Sequence, residues 1–315
     1  MPSDLTPDLA GALEEGCVVL DGGLATELER RGHDLSSALW SARLLADDPA
    51  AVVEAHGAFL DSGAQVVTTA SYQASFGGFA AAGLDTAGTR ELLRRSVALA
   101  RQAVAERVSE DRPTWVAASV GPYGAALADG SEYTGAYGDM LDVRALRRFH
   151  HDRLAALVDA GPDVLALETL PALAEVEALV AELDGLGVPA WVSLTTVTDA
   201  DGTVLTRRGE PAAEAFAVAR DAADVIAVGV NCTDPDAVVP AVRLAAEVSG
   251  KPVVLYPNSG ESWDAAARRW TGPSHFHPEA VTAWRDAGAR LIGGCCRVTP
   301  DTIGAVAGTL GAIMR

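Results

Sequence analysis

Three of the four cysteines in the sequence stand where a catalytic metal centre could form. Cys295 and Cys296 are neighbours behind Gly293 and Gly294, and Cys232 ends a separate apolar run. Three thiolates form a soft ligand set that selects Zn²⁺ among the metals common in cells, and they leave a fourth position open. The sequence therefore predicts a zinc centre at these cysteines, with glycines that let the backbone turn both neighbouring sulfurs toward one ion.

Other interpretations of the cysteines stay open at this point. A cysteine in an apolar run is often a buried small residue, and neighbouring cysteines can form a vicinal disulfide or a redox switch. The spacing matches no zinc ribbon or finger, so the zinc hypothesis depends on a fold that brings residues 232 and 295–296 together. Cys17 precedes the first apolar run and is interpreted as structural.

A three-thiolate zinc centre suits one class of reaction best. Its surplus negative charge makes it a poor Lewis acid for hydrolysis, where His and carboxylate ligands predominate. It can bind a further thiol and deprotonate it, because a coordinated thiol loses its proton. The pattern predicts thiol alkylation. A zinc barrel hydrolase, which needs His and Asp/Glu ligands, and a non-enzymatic protein with a closed structural zinc site are the alternatives.

Short apolar runs alternate with longer segments of helical periodicity along the chain. Eight such runs occur, at 17–23, 64–72, 114–122, 163–169, 190–196, 225–232, 252–260 and 290–296. Polar or reactive residues end them: Asp21, Thr69, Ser119, Glu168, Thr195, Cys232, Asn258, Cys295 and Cys296. Eight βα units predict an α/β fold, a (β/α)₈ TIM-type barrel whose strand ends meet at one mouth; a doubly wound open sheet is the alternative.

The sequence shows no boundary between domains. Residues 1–315 are therefore predicted to be one barrel domain with an N-terminal extension over 1–16. Helices are expected within 48–63, 89–108, 142–161, 173–187 and 277–289, and 121–141 is expected to be an extended loop.

Composition and charge exclude several classes of partner. The 315 residues are 49% hydrophobic and 21% charged, with a formal net charge of −19. Such a surface repels phosphate backbones, so nucleic acid is an unsuitable partner. No apolar run approaches the roughly 18 residues of a membrane span, and the N-terminus lacks the pattern of a secretory signal. These features predict a cytoplasmic protein, a monomer or a small homo-oligomer, that acts on small molecules.

Eight stretches in order resemble the homocysteine S-methyltransferase family, zinc-dependent (β/α)₈ enzymes that methylate homocysteine to methionine. The resemblance covers about residues 17–310. Its stretches are "LDGGLATELERRG" (20–32), "LWSARLL" (39–45), "TASYQASFGGFAAAGL" (69–84), "ASVGPYGAALADGSEYTG" (118–135), "LALETLP" (165–171), "GVNC" (229–232), "YPNSGE" (256–261) and "GARLIGGCCR" (288–297). The segments "SYQAS" and "GPYGAALADGSEY" are most similar to the branch that uses S-methylmethionine as donor.

The resemblance implies roles for individual residues. The zinc ligands would be Cys232, Cys295 and Cys296, and Asn231 would be a transient fourth ligand before homocysteine arrives. The implied homocysteine-binding residues are Asp21, Gly22, Gly23, Thr69 and Glu168. Glu168 is expected to hold the α-ammonium group, and the backbone amides of Gly22 and Gly23 the α-carboxylate.

The donor side of the implied site consists of loop residues over the mouth. These are Tyr72, Gln73, Tyr133 and Asn258, of which the tyrosines would suit a sulfonium cation. The segment "TTVTDADGTVLTRRGEP" (195–211), with Arg207, Arg208 and Glu210, departs from the family pattern. S-Methylmethionine is the expected donor, and S-adenosylmethionine and betaine are the alternatives.

Overall fold

Eight parallel β-strands form the central sheet of the computed structural model, which describes residues 8–35, 40–108, 112–264 and 269–313. Residues 1–7 of the predicted extension, and residue 39 of the stretch 39–45, lie outside these ranges. The strands are β1 (Val18–Val19), β2 (Val66–Thr68), β3 (Trp115–Val120), β4 (Val164–Leu170), β5 (Ala190–Leu194), β6 (Val225–Asn231), β7 (Val253–Tyr256) and β8 (Ala289–Ile292). Six fall inside a predicted apolar run, and β4 and β8 each extend one residue beyond theirs.

The sheet closes on itself. Its strand order is β1-β8-β7-β6-β5-β4-β3-β2, and every pairing is parallel. A single parallel bridge between Leu20 and Val66 joins β1 to β2. This order confirms the (β/α)₈ barrel. It excludes the doubly wound sheet, in which the strand order reverses at a switch point.

Helices cover the outside of the barrel. They are α1 (Leu9–Glu15), α2 (Leu24–Arg30), α3 (Leu44–Asp47), α4 (Pro49–Asp61), α5 (Phe76–Ala81), α6 (Thr86–Arg107), α7 (Tyr123–Leu127), α8 (Val143–Val158), α9 (Leu173–Glu182), α10 (Ala212–Arg220), α11 (Val238–Ser249), α12 (Val281–Ala287) and α13 (Pro300–Ile313). Four of them lie within predicted helical segments (α4, α8, α9 and α12), α6 begins three residues before its predicted segment, and α11 and α13 were not predicted. Single 3₁₀ turns lie at Trp40–Arg43, Ser131–Tyr133, Ala136–Asp139, Pro235–Ala237 and Pro278–Ala280.

Aspartate caps fix where three of the long helices begin. The carboxylates of Asp48, Asp85 and Asp142 accept hydrogen bonds from first-turn amides of α4, α6 and α8, at 3.2, 2.7 and 2.7 Å. Each cap satisfies a backbone N–H that has no partner inside the helix.

The core has two layers, one between strands and helices and one inside the barrel. Leu9 and Leu13 of α1 pack with the inner layer, together with the inward-facing Trp115 and Trp191. Helix α1 therefore closes the amino end of the barrel, and the described part of the predicted extension packs as part of the barrel. The site must open at the opposite end, where the strands finish.

Two loops at that end contain regular structure. Residues 121–141 contain α7 and two 3₁₀ turns, so the prediction of a structureless loop is wrong. The segment 195–211 forms a hairpin, in which Thr196–Thr198 pairs with Val204–Thr206. Among the described residues, no helix has the length and apolarity that crossing a membrane requires.

A close approach of two strands gives a test of the barrel. Gly229 of β6 pairs with Val254 of β7, and a Cβ at Gly229 would lie 1.8 Å from the Val254 carbonyl oxygen. We expect Gly229→Ala to destabilise the protein by at least about 1–3 kcal/mol, because the backbone must shift. Gly308→Ala in α13 meets nothing within 4 Å and should instead stabilise by roughly 0.5–1 kcal/mol. Urea unfolding measures both, and a neutral Gly229→Ala would contradict the strand register.

Candidate metal centre and substrate pocket

The three predicted cysteines meet at the carboxyl ends of β6 and β8. Their Sγ atoms lie within 4.8 Å of one another. Cys232 and Cys295 are joined as a disulfide, with their Cα atoms 5.7 Å apart, and Cys296 is a free thiol. The sequence suggests a disulfide only as a vicinal pair between Cys295 and Cys296. The structure pairs Cys295 across the barrel mouth instead.

The segment after β7 holds all three cysteines through backbone hydrogen bonds. The Cys232 N–H donates to the Tyr256 carbonyl at 3.2 Å, and the Cys295 N–H donates to the Pro257 carbonyl at 2.8 Å. The Cys296 N–H donates to the Asn258 side-chain oxygen at 3.2 Å. Because β7 lies between β6 and β8, its end is the natural scaffold for sulfurs from both strands.

This donor set fits a thiophilic metal ion. Sulfurs around a tetrahedral Zn²⁺, with bonds of about 2.3 Å, lie roughly 3.8 Å apart. The cysteines meet that spacing with small side-chain shifts once the disulfide is reduced. Burial raises the pKa of the Cys296 thiol to about 11, so at neutral pH a cation must replace its proton before it acts as a thiolate.

The backbone conformation at Gly293 and Gly294 differs from the conformational freedom that the sequence analysis ascribes to these glycines. Gly293 and Gly294 do not adopt positive φ angles. A Cβ at Gly293 would lie 2.5 Å from the Asp21 carbonyl oxygen, and one at Gly294 would lie 2.2 Å from the Val298 side chain. The glycines are thus required for close packing of β8 on its neighbours. The left-handed backbone belongs to Cys232, with φ of 46°, and to Arg297, with φ of 68°.

The Asn231 side chain is held by hydrogen bonds beside the site. Its side-chain oxygen accepts hydrogen bonds from the Thr169 N–H at 2.8 Å and the Ser193 hydroxyl at 2.7 Å, and its amide nitrogen donates to the Thr169 hydroxyl at 2.7 Å. The oxygen predicted to be a transient metal ligand is therefore committed to protein partners. This arrangement fixes Thr169, whose φ of 61° is strained for a β-branched residue.

A pocket lies beside the sulfurs, with about 850 Å³ of empty space when its open mouth is included. The predicted residues that line it are Gly22, Gly23, Thr69, Tyr72, Tyr133, Glu168, Asn231, Cys232, Cys295 and Cys296. Residues that were not predicted also line it, among them Leu24, Ala25, Thr26, Glu29, Ser119, Thr169 and Tyr256. Asp21, Gln73 and Asn258 are outside this lining.

Glu168 is a buried carboxylate that faces the pocket. The hydroxyl of Ser119 donates to Oε1, and the hydroxyl of Tyr256 donates to Oε2 at 2.8 Å. The Trp191 indole N–H in turn donates to the Tyr256 oxygen at 3.0 Å. Burial raises the pKa of Glu168. A cationic ligand would stabilise its charged form.

Asp21 closes the barrel and does not reach the pocket. Its carboxylate accepts hydrogen bonds from the N–H of Thr68 at 2.7 Å and from the Thr68 hydroxyl at 2.8 Å. These bonds join β1 to β2 where only one backbone bridge pairs them. Burial raises the pKa of Asp21 to about 8. Asp21 thus has a structural role in the barrel, and its contact with homocysteine stays a prediction.

The turn at Gly22 and Gly23 offers fewer free amides than predicted. The Gly23 N–H donates to the Val298 carbonyl at 3.0 Å, so it is not available to a carboxylate. Gly22 keeps its place in the pocket lining. Thr69 also lines the pocket, where its hydroxyl lies 2.7 Å from that of Ser71 and accepts the Ser119 N–H at 3.0 Å.

Two of the four residues predicted for the donor reach the pocket. Tyr72 and Tyr133 line it, and the Tyr133 hydroxyl donates a hydrogen bond that lowers the pKa of the Cys296 thiol against the larger effect of burial. Asn258 instead positions Cys296, as described above. Gln73 is buried outside the lining, and its side-chain oxygen has no hydrogen-bond partner among the described residues.

A buried arginine that the sequence gave no reason to select anchors both tyrosine loops. Arg153 of α8 is 1% exposed, and its guanidinium donates to the carbonyls of Gly121 at 2.8 Å, Tyr72 at 2.6 Å and Ser71 at 3.2 Å. Burial lowers the pKa of Arg153 to about 10. The loops after β2 and β3 are thus held by one side chain from an outer helix.

Comparison with known proteins agrees with this fold. The model of the homocysteine S-methyltransferase family matches residues 18–310. Homocysteine S-methyltransferase 4 of Zea mays is 45% identical over 97% of this chain and 93% of its own length. Selenocysteine Se-methyltransferase of Brassica oleracea var. italica is 41% identical over 92% of this chain and 88% of its own.

Solved structures of the homocysteine methyltransferase MmuM from Escherichia coli are also similar. The metallated form has a TM-score of 0.81 at 41% identity and covers 93% of this chain and 96% of its own. The oxidized form has a TM-score of 0.81 at 42% identity, over 93% and 95% of the two chains. The chain is an α/β-barrel methyltransferase. It belongs to the homocysteine S-methyltransferase family, which confirms the predicted enzyme class.

Proposed function

We propose that the protein methylates homocysteine to methionine, with S-methylmethionine as donor and zinc held by Cys232, Cys295 and Cys296. The observation that carries the proposal is the cluster of three sulfurs within 4.8 Å beside a pocket with a buried carboxylate. The metal group found among the described residues contains cysteines only, whereas a hydrolase needs His or carboxylate ligands. Free thiolates of this kind suit a reducing compartment such as the cytoplasm.

Zinc in this site would supply an open coordination position at which the homocysteine thiol loses its proton. The disulfide between Cys232 and Cys295 must be reduced first, because a disulfide sulfur is not a thiolate. The protein's own part is to hold three sulfurs on one side of the pocket, through the scaffold after β7. Cys232 and Arg297 have positive φ angles, which are unfavourable for residues other than glycine. Such strained backbone is common at functional sites.

Glu168 orients homocysteine. Its carboxylate would accept hydrogen bonds from the α-ammonium group, while Ser119 and Tyr256 keep both oxygens directed at the pocket. Thr69 and the Gly22 amide are placed to bind the rest of the amino-acid end. The substrate sulfur then faces the cysteines at the other side of the same pocket, since Glu168 and the cysteines share one lining.

The reaction is one displacement at carbon. The homocysteine sulfur forms a bond to the methyl carbon, and the bond between that carbon and the donor sulfonium breaks with its electron pair passing to the donor sulfur. The thiol proton is released, and two methionines result. Because a thiolate and a sulfonium neutralise each other, a pocket that excludes water favours the step. Tyr72 and Tyr133 would present aromatic faces to the sulfonium.

Replacing a metal ligand tests the centre. We expect Cys296→Ser to lose both the bound metal and methyl transfer, because a hydroxyl is a poor ligand for a soft site. Metal content by mass spectrometry and methionine formation after reduction measure the two effects. Cys17→Ser is the matched control: Cys17 lies at the amino end of β1, with its thiol 3.7 Å from the Ala289 carbonyl, and should keep both properties. Cys296→Ser that keeps metal and activity near the wild-type level would refute the assignment.

Removing the charge of Glu168 tests the homocysteine contact. We expect Glu168→Gln to raise the KM for homocysteine by about 10- to 100-fold, the cost of losing a hydrogen bond to a charged group. The KM for the donor should change far less. Glu177→Gln removes an exposed carboxylate of the following helix and serves as the control. Steady-state kinetics with each substrate varied separates the two constants, and an unchanged KM for homocysteine would contradict the role.

A further inference from the structure

We propose that Glu29 binds the α-ammonium group of the methyl donor at the open edge of the pocket, so that the donor is recognised as an amino acid. This inference rests on the proposed function and names a specificity-determining residue within the same site. Glu29 lies near the end of α2 and lines the pocket.

The charged side chains of the pocket wall are all acidic. Among the described residues that line the pocket, Glu29 and Glu168 are the only carboxylates, and none is a Lys, Arg or His. Glu168 is 7% exposed, whereas Glu29 is exposed. The two carboxylates therefore lie at different depths, one inside the pocket and one at its edge, and can serve the ammonium groups of two different substrates.

Helix α2 presents Glu29 on the face that packs against the cysteine segment. A Cβ at Gly23 would lie 2.7 Å from the Cys295 carbonyl oxygen, so the start of the helix contacts this segment directly. The hydroxyl of Thr26 accepts the Arg297 N–H at 2.9 Å. Glu29 follows Thr26 by three residues, which places it on the same helix face, about 4.5 Å further along the axis. The wall that carries the metal ligands therefore also carries this carboxylate.

The carboxylate of Glu29 is free to accept a ligand. It has no hydrogen-bond or ion-pair partner among the described residues, because the neighbouring arginines are engaged elsewhere. Arg31 binds the buried Glu27 at 2.7 Å. Arg297 binds Glu261 at 3.2 Å. Partial burial raises the pKa of Glu29 against the smaller effect of Arg297, and a bound cation would stabilise its charged form.

The geometry of the displacement decides which end of the donor meets Glu29. The donor methyl must face the substrate thiol at the sulfurs, so the rest of the donor extends away from the metal centre. In S-methylmethionine that rest ends in an ammonium and a carboxylate group. Glu29 lies at the open edge of the pocket, where this end would be, and an ammonium group brings three N–H donors and a positive charge to a carboxylate.

The test compares two sulfonium donors that differ in the amino group. Glu29→Gln and wild type are assayed with S-methylmethionine and with dimethylsulfoniopropionate, which has no α-amino group. We expect the kcat/KM for S-methylmethionine to fall by about 3- to 10-fold, between the effects of an exposed ion pair and of a buried charged hydrogen bond. The kcat/KM for dimethylsulfoniopropionate and the KM for homocysteine should change by less than about twofold. Isothermal titration of each donor into both proteins measures the same difference as affinity, whether or not methyl transfer follows.

Glu14→Gln is the matched control. It removes an exposed carboxylate from α1, at the amino end of the barrel and away from the pocket. Because the protein carries a formal net charge of −19, losing one negative charge anywhere could weaken the attraction of a cation. The control measures that general effect, and we expect it to leave both donors unaffected.

Equal losses with the two donors, no loss with S-methylmethionine, or a raised KM for homocysteine in Glu29→Gln would overturn the inference, while wild-type activity upholds the proposed function. A wild type that binds S-methylmethionine but transfers no methyl group would contradict the proposed function. The titrations of Glu29→Gln would then still decide whether Glu29 binds the ammonium group.

Discussion

The meeting of the ends of β6 and β8 around the end of β7 is the constraint on which the site depends. Cys232 and Cys295 are separated by 63 residues in sequence, and the pairing of β6 and β8 with β7 in the parallel sheet places them together. The Tyr256 and Pro257 carbonyls bind the amides of these two cysteines, and the Asn258 side chain binds that of Cys296. Glycines at 229, 293 and 294 allow the strands to approach closely enough for this convergence.

Buried charged side chains are the second feature that defines the pocket. Glu168 is buried and depends on two hydroxyls and a ligand cation for its charged form. Substrates that carry ammonium and sulfonium charges complement such a cavity. Arg153 supplies the opposite charge from outside, where it binds the carbonyls of the loops that carry the tyrosines. Selectivity and rigidity thus come from the same set of buried polar groups.

The sequence contained the architecture and the metal chemistry, but not the orientation of individual side chains. Eight apolar runs with polar ends sufficed for the barrel, because strands buried on both faces are nearly continuous in apolar residues. The roles of Asn231 and Asp21 could not be predicted, since they depend on which neighbour each polar group meets after folding. Arg153 had no local signal either, because an arginine on an amphipathic helix usually faces solvent.

The most direct test of the account is the electronic spectrum of the reduced, cobalt-substituted protein as homocysteine is added. Three cysteine thiolates should give a thiolate-to-cobalt charge-transfer band, and a fourth sulfur entering the coordination sphere should intensify and shift it. The account predicts that change at stoichiometric homocysteine, with no change on adding homoserine, the oxygen analogue of homocysteine. A spectrum that homocysteine leaves unaltered would contradict the claim that the three sulfurs exist to activate a substrate thiol.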